Sequence, residues 1–145
     1  MNRHATVFAI SLFLFLNIFA FAQEDKVSVD DSSAVRATVT DYIEAYYTGD
    51  ARRMEQTLHP HYLKHIIHGD IPVRERTAAE MLKEVAKNGP AEMPAASKTE
   101  QVEVLDVSKI IASAKLITPG WTDYVTLEKV AGNWKILSVV QRIDD

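Results

Sequence analysis

With 145 residues, 47% of them hydrophobic and 25% charged, the chain suffices for one globular domain, is too short for two ordinary ones, and fits neither disorder nor a fibrous repeat. Its net charge of −4 opposes the phosphate backbones that clustered Lys and Arg would bind, so nucleic acid is not an expected partner. The absence of cysteine removes disulfides, thiol nucleophiles and thiolate metal sites together.

Residues 1–22 carry Arg3, then an apolar run to Ala22, with Ala20-Phe21-Ala22 in the A-x-A pattern. This is the layout of a secretory signal peptide cleaved after Ala22, and it implies a periplasmic or secreted protein. An uncleaved anchor is the alternative, since a run of that length can just span a bilayer. The small residues at both required positions favour cleavage, which confines membrane contact to this segment before its removal. Loss of the leader takes away Arg3 as its only Lys or Arg, leaving 123 residues at a net charge near −5.

Residues 23–33, QEDKVSVDDSS, are polar, without an apolar period, and read as a flexible lead-in to a domain spanning 34–145. Asp31, Ser32 or Ser33 would cap the helix that follows. At 100° per residue, Val35, Val39, Tyr42, Ile43 and Tyr46 fall within about 100° of arc, the width of a core-facing stripe. The first helix therefore runs from Ala34 to about Tyr47. Gly49 suits the left-handed position past its end, and Asp50 caps a second helix through Leu58, burying Met54 and Leu58.

The stretch LHPHYLKHIIHGD, residues 58–70, holds four of the five histidines. The favoured reading is a helix started by Pro60 and ended by Gly69. On it, Leu63, Ile66 and Ile67 cluster on one side and His61, His65 and His68 within about 60° on the other. As a strand, the segment would place His61 and His65 on one face about 13 Å apart, with His68 pointing the other way. A helical His61/His65 pair could ligate zinc, copper or nickel. Against this, Tyr62 stands where a metalloprotease helix has glutamate, and Lys64 sets a like charge beside a cation. No resident metal is expected.

Thr77-Ala78-Ala79-Glu80 forms a capping box opening a third helix, with Met81, Leu82, Val85 and Ala86 as its apolar face and Asn88-Gly89-Pro90 as its end. A loop follows. The period then falls from 3.6 to 2, predicting strands at 99–107, 110–117, 121–130 and 133–142. Links of two or three residues force antiparallel hairpins, hence a four-stranded meander. On the last strand Trp134, Ile136, Ser138 and Val140 share one parity. The expected class is α+β, three N-terminal helices packed on a curved antiparallel sheet.

Three strings, YIEAYYTGDARRMEQTLHP (42–60), VEVLDVSKIIASAKLI (102–117) and YVTLEKVAGNWKIL (124–137), resemble the putative lumazine-binding branch of the nuclear transport factor 2-like superfamily. The resemblance covers about Val35 to Val140. It implies a cone in which helices close over a bent sheet to leave a pocket, a homodimer, and Trp134 and Ile136 in the core. Superfamily members include isomerases, dehydratases, carriers and dimerisation modules, so the fold by itself assigns no activity.

Combined with that cone, the sequence nominates Tyr42, Tyr46, His61, His65, Trp121 and Tyr124 as ligand-binding residues. Trp121 and Asp123 share one strand parity and Tyr124 the other, so only one set faces inward. Catalytic residues are not assigned. No glycine-rich phosphate loop or G-x-S-x-G elbow exists, and no cofactor is called for. The expected function is binding of a small, partly aromatic molecule without transformation. One alternative is an acid-base enzyme using His and Tyr in the pocket. Ketosteroid isomerase has a similar fold and uses Asp and Tyr, and Asp123 with Tyr42 or Tyr46 would stand in their place, without a local motif match. The other alternative is a dimerisation or scaffold module working through the outer sheet face.

Overall fold

The structure, a computed structural model, describes residues 29–92, 98 and 100–144. The expected signal peptide and residues 23–28 of the lead-in lie outside the described residues. The element order is α1 (Val29–Thr48), α2 (Ala51–Thr57), β1 (Leu58–His68), β2 (Ile71–Thr77), α3 (Ala78–Asn88), β3 (Gln101–Ser108), β4 (Ile111–Ile117), β5 (Trp121–Val130) and β6 (Asn133–Ile143). The fold is α+β, three helices on a curved sheet, as expected. The sheet has six strands rather than four, in the order β2-β1-β6-β5-β4-β3. It is also not wholly antiparallel, because β1 runs parallel to β6.

Helix α1 begins at Val29, inside the stretch read as a lead-in, and this changes the role of Asp31. Rather than capping the helix, Asp31 accepts from Trp134 Nε1 (3.2 Å) and Lys129 Nζ (2.6 Å), tying the first turns to β5 and β6. The apolar stripe holds: Val35, Val39, Tyr42 and Ile43 are buried, and Tyr46 is half-buried at the core's edge. Asp50 caps α2, accepting from the Arg53 amide at 2.9 Å. Met54 and Leu58 are buried as expected, but Leu58 already belongs to β1. Gly49 has φ +70°, and a Cβ there would lie 2.3 Å from the Gly89 carbonyl carbon. Only glycine meets both demands, letting the α1–α2 turn touch the end of α3.

The largest correction is the histidine segment, which forms a strand. Gly69-Asp70 is a two-residue hairpin link, with Gly69 at φ +50°, between residues paired as His68 and Ile71. Glycine first in a two-residue link is a hairpin signal. Tyr62, Ile66 and Ile67 suit a pleated surface. Pro60 lies where the β1–β6 ladder shifts register between Leu58 and Leu63, so its missing N–H breaks no regular pairing. Strand alternation overrides the helical wheel: Tyr62 and Lys64 are buried, whereas His61 is exposed and His65 half-exposed.

In α3 the capping box is complete, the Thr77 amide donating to Glu80 Oε2 at 2.8 Å and the Glu80 amide to Thr77 Oγ1 at 3.4 Å. Met81 and Val85 are buried, but Ala86 is exposed rather than on the apolar face. Helix α3 lies against β1 and β2, while α1 lies against β3, β4 and β6. All the helices thus share one face of the sheet.

The meander β3–β6 is present, with Ala131 and Gly132 at φ +49° and +82° supplying the doubly positive link between β5 and β6. A bulge interrupts the last pairing. Thr126 faces Ser138 but Leu127 faces Ile136, so Leu137 is the extra residue. Side-chain parity therefore flips along β6, and the expected single face of Trp134, Ile136, Ser138 and Val140 does not persist. Trp134, Ile136 and Val139 are buried, and Val140 is exposed. A bulge also bends its strand, and with those at Val104/Asp106 and Ile66/His68 it accounts for the sheet's curvature.

Candidate functional site

Between α1, α3 and the inner sheet face lies a cavity of about 180 Å³. Its floor is the buried set Tyr42, Ile43, Lys64, Met81 and Asp123. Half-buried Tyr46, Ile66, Arg76, Glu84, Trp121, Gln141 and Ile143 rim it.

Each polar group arrives by an identifiable local rule. Lys64 sits midway between Tyr62 and Ile66 in the period of two on β1, which turns it to the inner face. Asp123 is in phase with Trp121, Val125 and Leu127 on β5. Gln141 reaches the cavity because the Leu137 bulge reversed the parity of β6, setting it opposite Asp123 in the ladder. Tyr42 comes from the buried stripe of α1. Arg76 on β2 pairs with Glu84 on α3 at 3.1 Å.

The floor is a connected polar cluster. Lys64 Nζ donates to Asp123 Oδ2 at 3.3 Å and to Tyr42 Oη at 3.1 Å, and it lies 5.6 Å from the Tyr42 ring centroid. The Tyr42 and Tyr62 hydroxyls are 3.4 Å apart, either able to donate. Asp123 is fully buried, and its Oδ1 has no hydrogen-bond partner among the described residues. Burial raises the Asp123 carboxyl above its ordinary value, while the Lys64 charge and the Gln141 amide pull it down. Burial also pushes Tyr42 well up, reinforced by the Asp123 charge, and pushes Tyr62 up in the same direction. Both phenols are therefore neutral hydrogen-bonding groups at ordinary pH.

The wall is aromatic. Tyr46 and Trp121 meet edge-to-face, with centroids 5.9 Å apart and planes at 78°. Such a pair offers a flat apolar surface to a ring.

Of the residues nominated from sequence, Tyr42, Tyr46 and Trp121 line this cavity. His61, His65 and Tyr124 do not. His65 pairs with Glu75 at 3.2 Å, and Tyr124 is exposed, with the Lys115 ammonium 6.0 Å from its ring centroid. The register row His65, Val140, Tyr124, Lys115 places all of them on the sheet's outer face. The strand also separates the histidines that a helix would have gathered. Among the described residues, no group of three or more His, Asp or Glu is placed to hold a metal ion. Sequence reasoning missed Tyr62, Lys64, Arg76, Glu84 and Gln141. The available signal was Gly69-Asp70, which as a hairpin link would have made 58–68 a strand and turned Lys64 inward.

Comparison with known proteins agrees with this fold. The profile of the family described as "Putative lumazine-binding" matches residues 30–141. The comparison with curated proteins gives no match. Among solved structures, the chain is similar to a nuclear transport factor 2-like protein of unknown function from Silicibacter pomeroyi. That pair has 18% identity, covers 79% of this chain and 97% of the other, and has a TM-score of 0.66. A ketosteroid isomerase-like protein from Erwinia carotovora is 14% identical, with 81% and 99% covered and a TM-score of 0.59. A protein described as a putative dehydratase from Streptomyces avermitilis is 17% identical, with 80% and 97% covered and a TM-score of 0.52. At these identities the likeness is one of fold.

Proposed function

The chain belongs to the putative lumazine-binding family of the nuclear transport factor 2-like superfamily, and from that premise we propose that it is an exported protein binding one small, partly aromatic molecule in its cone. The observation carrying this reading is the cavity itself, floored by a buried polar cluster that includes Tyr42 and walled by Tyr46 and Trp121. An apolar cavity of about 150 Å³ already holds benzene, and drug-sized ligands need about 300 Å³ or more. A cavity of about 180 Å³ thus suits one ring or a compact pair of fused rings. The A-x-A leader supports export, with a mature chain starting at Gln23. The outer sheet face, with Tyr124 and Val140 exposed, is the proposed contact of a homodimer.

The test is native mass spectrometry of the full chain expressed in its own host. The expected species is a dimer of chains starting at Gln23, each carrying one organic molecule with the mass of a single ring or a compact fused pair. Bare protein would count against the binding reading, an intact leader against export, and monomer alone against the dimer.

A second reading, an acid-base enzyme, draws on one observation: Asp123 Oδ1 is a buried carboxylate oxygen without a hydrogen-bond partner among the described residues. In that case Asp123 and Tyr42 would act, rather than His61 or His65. Conversion of a bound molecule by the wild type but not by Asp123→Asn would favour it.

A further inference from the structure

Lys64 is the only buried lysine among the described residues, and it lines the cavity. A buried lysine–carboxylate pair carries a desolvation cost that apolar side chains of similar size would spare, so its position points to use of the amine. A lysine taken out of water and set in a pocket is the form of this side chain that attacks carbonyl carbon.

The neighbours of Lys64 supply what such a reaction needs. Asp123 Oδ2 stands 3.3 Å from Lys64 Nζ, close enough to take a proton from the ammonium and to return one to an oxygen bonded beside it. Burial raises the Asp123 carboxyl, which brings the neutral amine–acid form of the pair within reach, and the Gln141 side chain also hydrogen-bonds to Asp123 and steadies it. Tyr42 Oη accepts from Lys64 Nζ at 3.1 Å and lies 3.4 Å from the Tyr62 hydroxyl. With Tyr62 as the donor in that contact, Tyr42 keeps its own O–H for an oxygen arriving beside Nζ. Burial keeps both phenols protonated. The edge-to-face pair of Tyr46 and Trp121 receives a ring, and a single ring bearing a formyl group fits the cavity of about 180 Å³.

Resting on the binding reading above, we infer that the cavity takes a small aldehyde borne on a single ring and holds it as an imine of Lys64. The atoms balance without a further reagent. Lys64 passes one ammonium proton to Asp123, and the free amine attacks the carbonyl carbon. The π pair of the carbonyl moves onto its oxygen, to which the Tyr42 hydroxyl donates. That oxygen takes the proton from Asp123, the nitrogen gives its next proton to the carboxylate, and Asp123 delivers this proton to the carbinolamine hydroxyl. The C–O bond breaks, water leaves, and the nitrogen lone pair closes the C=N bond. One ammonium and one aldehyde have become one iminium and one water. The iminium faces the Asp123 carboxylate as the ammonium did, so the buried pair has no net charge before or after the reaction.

The test treats the full chain at neutral pH with benzaldehyde and sodium cyanoborohydride, which reduces an imine to a stable secondary amine. Peptide mapping then locates the benzyl groups. Lys64 should be labelled at least about tenfold faster than any other lysine, because exposed lysines are almost wholly ammonium at this pH. Lys64→Arg keeps a cation for Asp123 and has no amine that forms an imine. In that variant the fast label should be gone, with the slow labelling of the other lysines unchanged and circular dichroism confirming the fold. The wild-type map stands without the variant. Labelling spread evenly over the lysines, a Lys64 left unmodified, or a fast label that persists in Lys64→Arg would each overturn the imine. The native mass measurement is independent of this one: a molecule retained by a protein whose Lys64 stays unmodified would leave the binding reading standing and remove the imine alone.

Discussion

The two ends of the sheet's inner face are built to different standards. At one end Trp134, Ile136 and Leu127 pack under the start of α1, and the one polar group among them, the Trp134 indole N–H, is satisfied by Asp31. At the other end Lys64, Asp123, Tyr42 and Tyr62 are buried together, with Asp123 Oδ1 left without a partner among the described residues. The first arrangement is what stability alone favours. The second carries a desolvation cost that a buried ion pair offsets only when every lone pair and proton finds a partner. A polar cluster that leaves one buried acceptor without a partner among the described residues, and that faces a cavity, is better accounted for by a ligand than by the fold.

Four substitutions or conditions sharpen this contrast. The largest effect is expected from breaking the pair on one side only. Asp123→Leu strands the Lys64 charge and should cost about 3–5 kcal/mol, read from the urea midpoint. Next is Ile136→Ala at the apolar end. It should cost about 2–5 kcal/mol yet leave the bound molecule seen by native mass spectrometry in place. Loss of that molecule would break the separation of the two ends.

A smaller effect concerns pH. The Asp123 carboxyl is raised in the folded protein above its ordinary 3.8. Below that value both states hold the proton and burial of the acid carries no charge penalty. As pH climbs through the window between the ordinary and the raised value, the unfolded state gives up its proton first, so folding loses stability. Urea midpoints measured from acid to neutral pH should therefore fall for the wild type relative to Asp123→Asn. A wild type that gained on the variant across that window would contradict the direction. The smallest effect is expected at Tyr47, whose hydroxyl is buried with no partner among the described residues and whose ionisation burial pushes up to about 12. Tyr47→Phe should change stability by less than about 1 kcal/mol, in the stabilising direction.

The legible parts of the fold were those governed by one local rule. The capping box at Thr77 and Glu80, the turn at Gly49-Asp50, the α1 stripe and the hairpin at Ala131-Gly132 all stand in the structure. Residues 58–68 misled because Leu63, Ile66 and Ile67 satisfy a helical wheel, while the partners that make them a strand, β2 and the distant β6, are tertiary. Gln141 was beyond reach for a related reason. Its facing depends on the Leu137 bulge, which nothing in an alternating sequence marks. The cavity's aromatic residues Tyr42, Tyr46 and Trp121 could be listed. Of its charged floor only Asp123 could be named, because Lys64 faces inward only if the segment is a strand.

The central claim is that the buried cluster at the cavity end serves ligand binding rather than stability. The double variant Lys64→Met/Asp123→Leu, with urea unfolding and native mass spectrometry on the same preparation, tests it most directly. Replacing a buried ion pair by apolar side chains of similar size is often neutral or stabilising by about 1–4 kcal/mol, so the variant should unfold at an equal or higher urea midpoint while losing the bound molecule that the wild type carries. A double variant destabilised by several kcal/mol, or one that still carries that molecule, would contradict the claim.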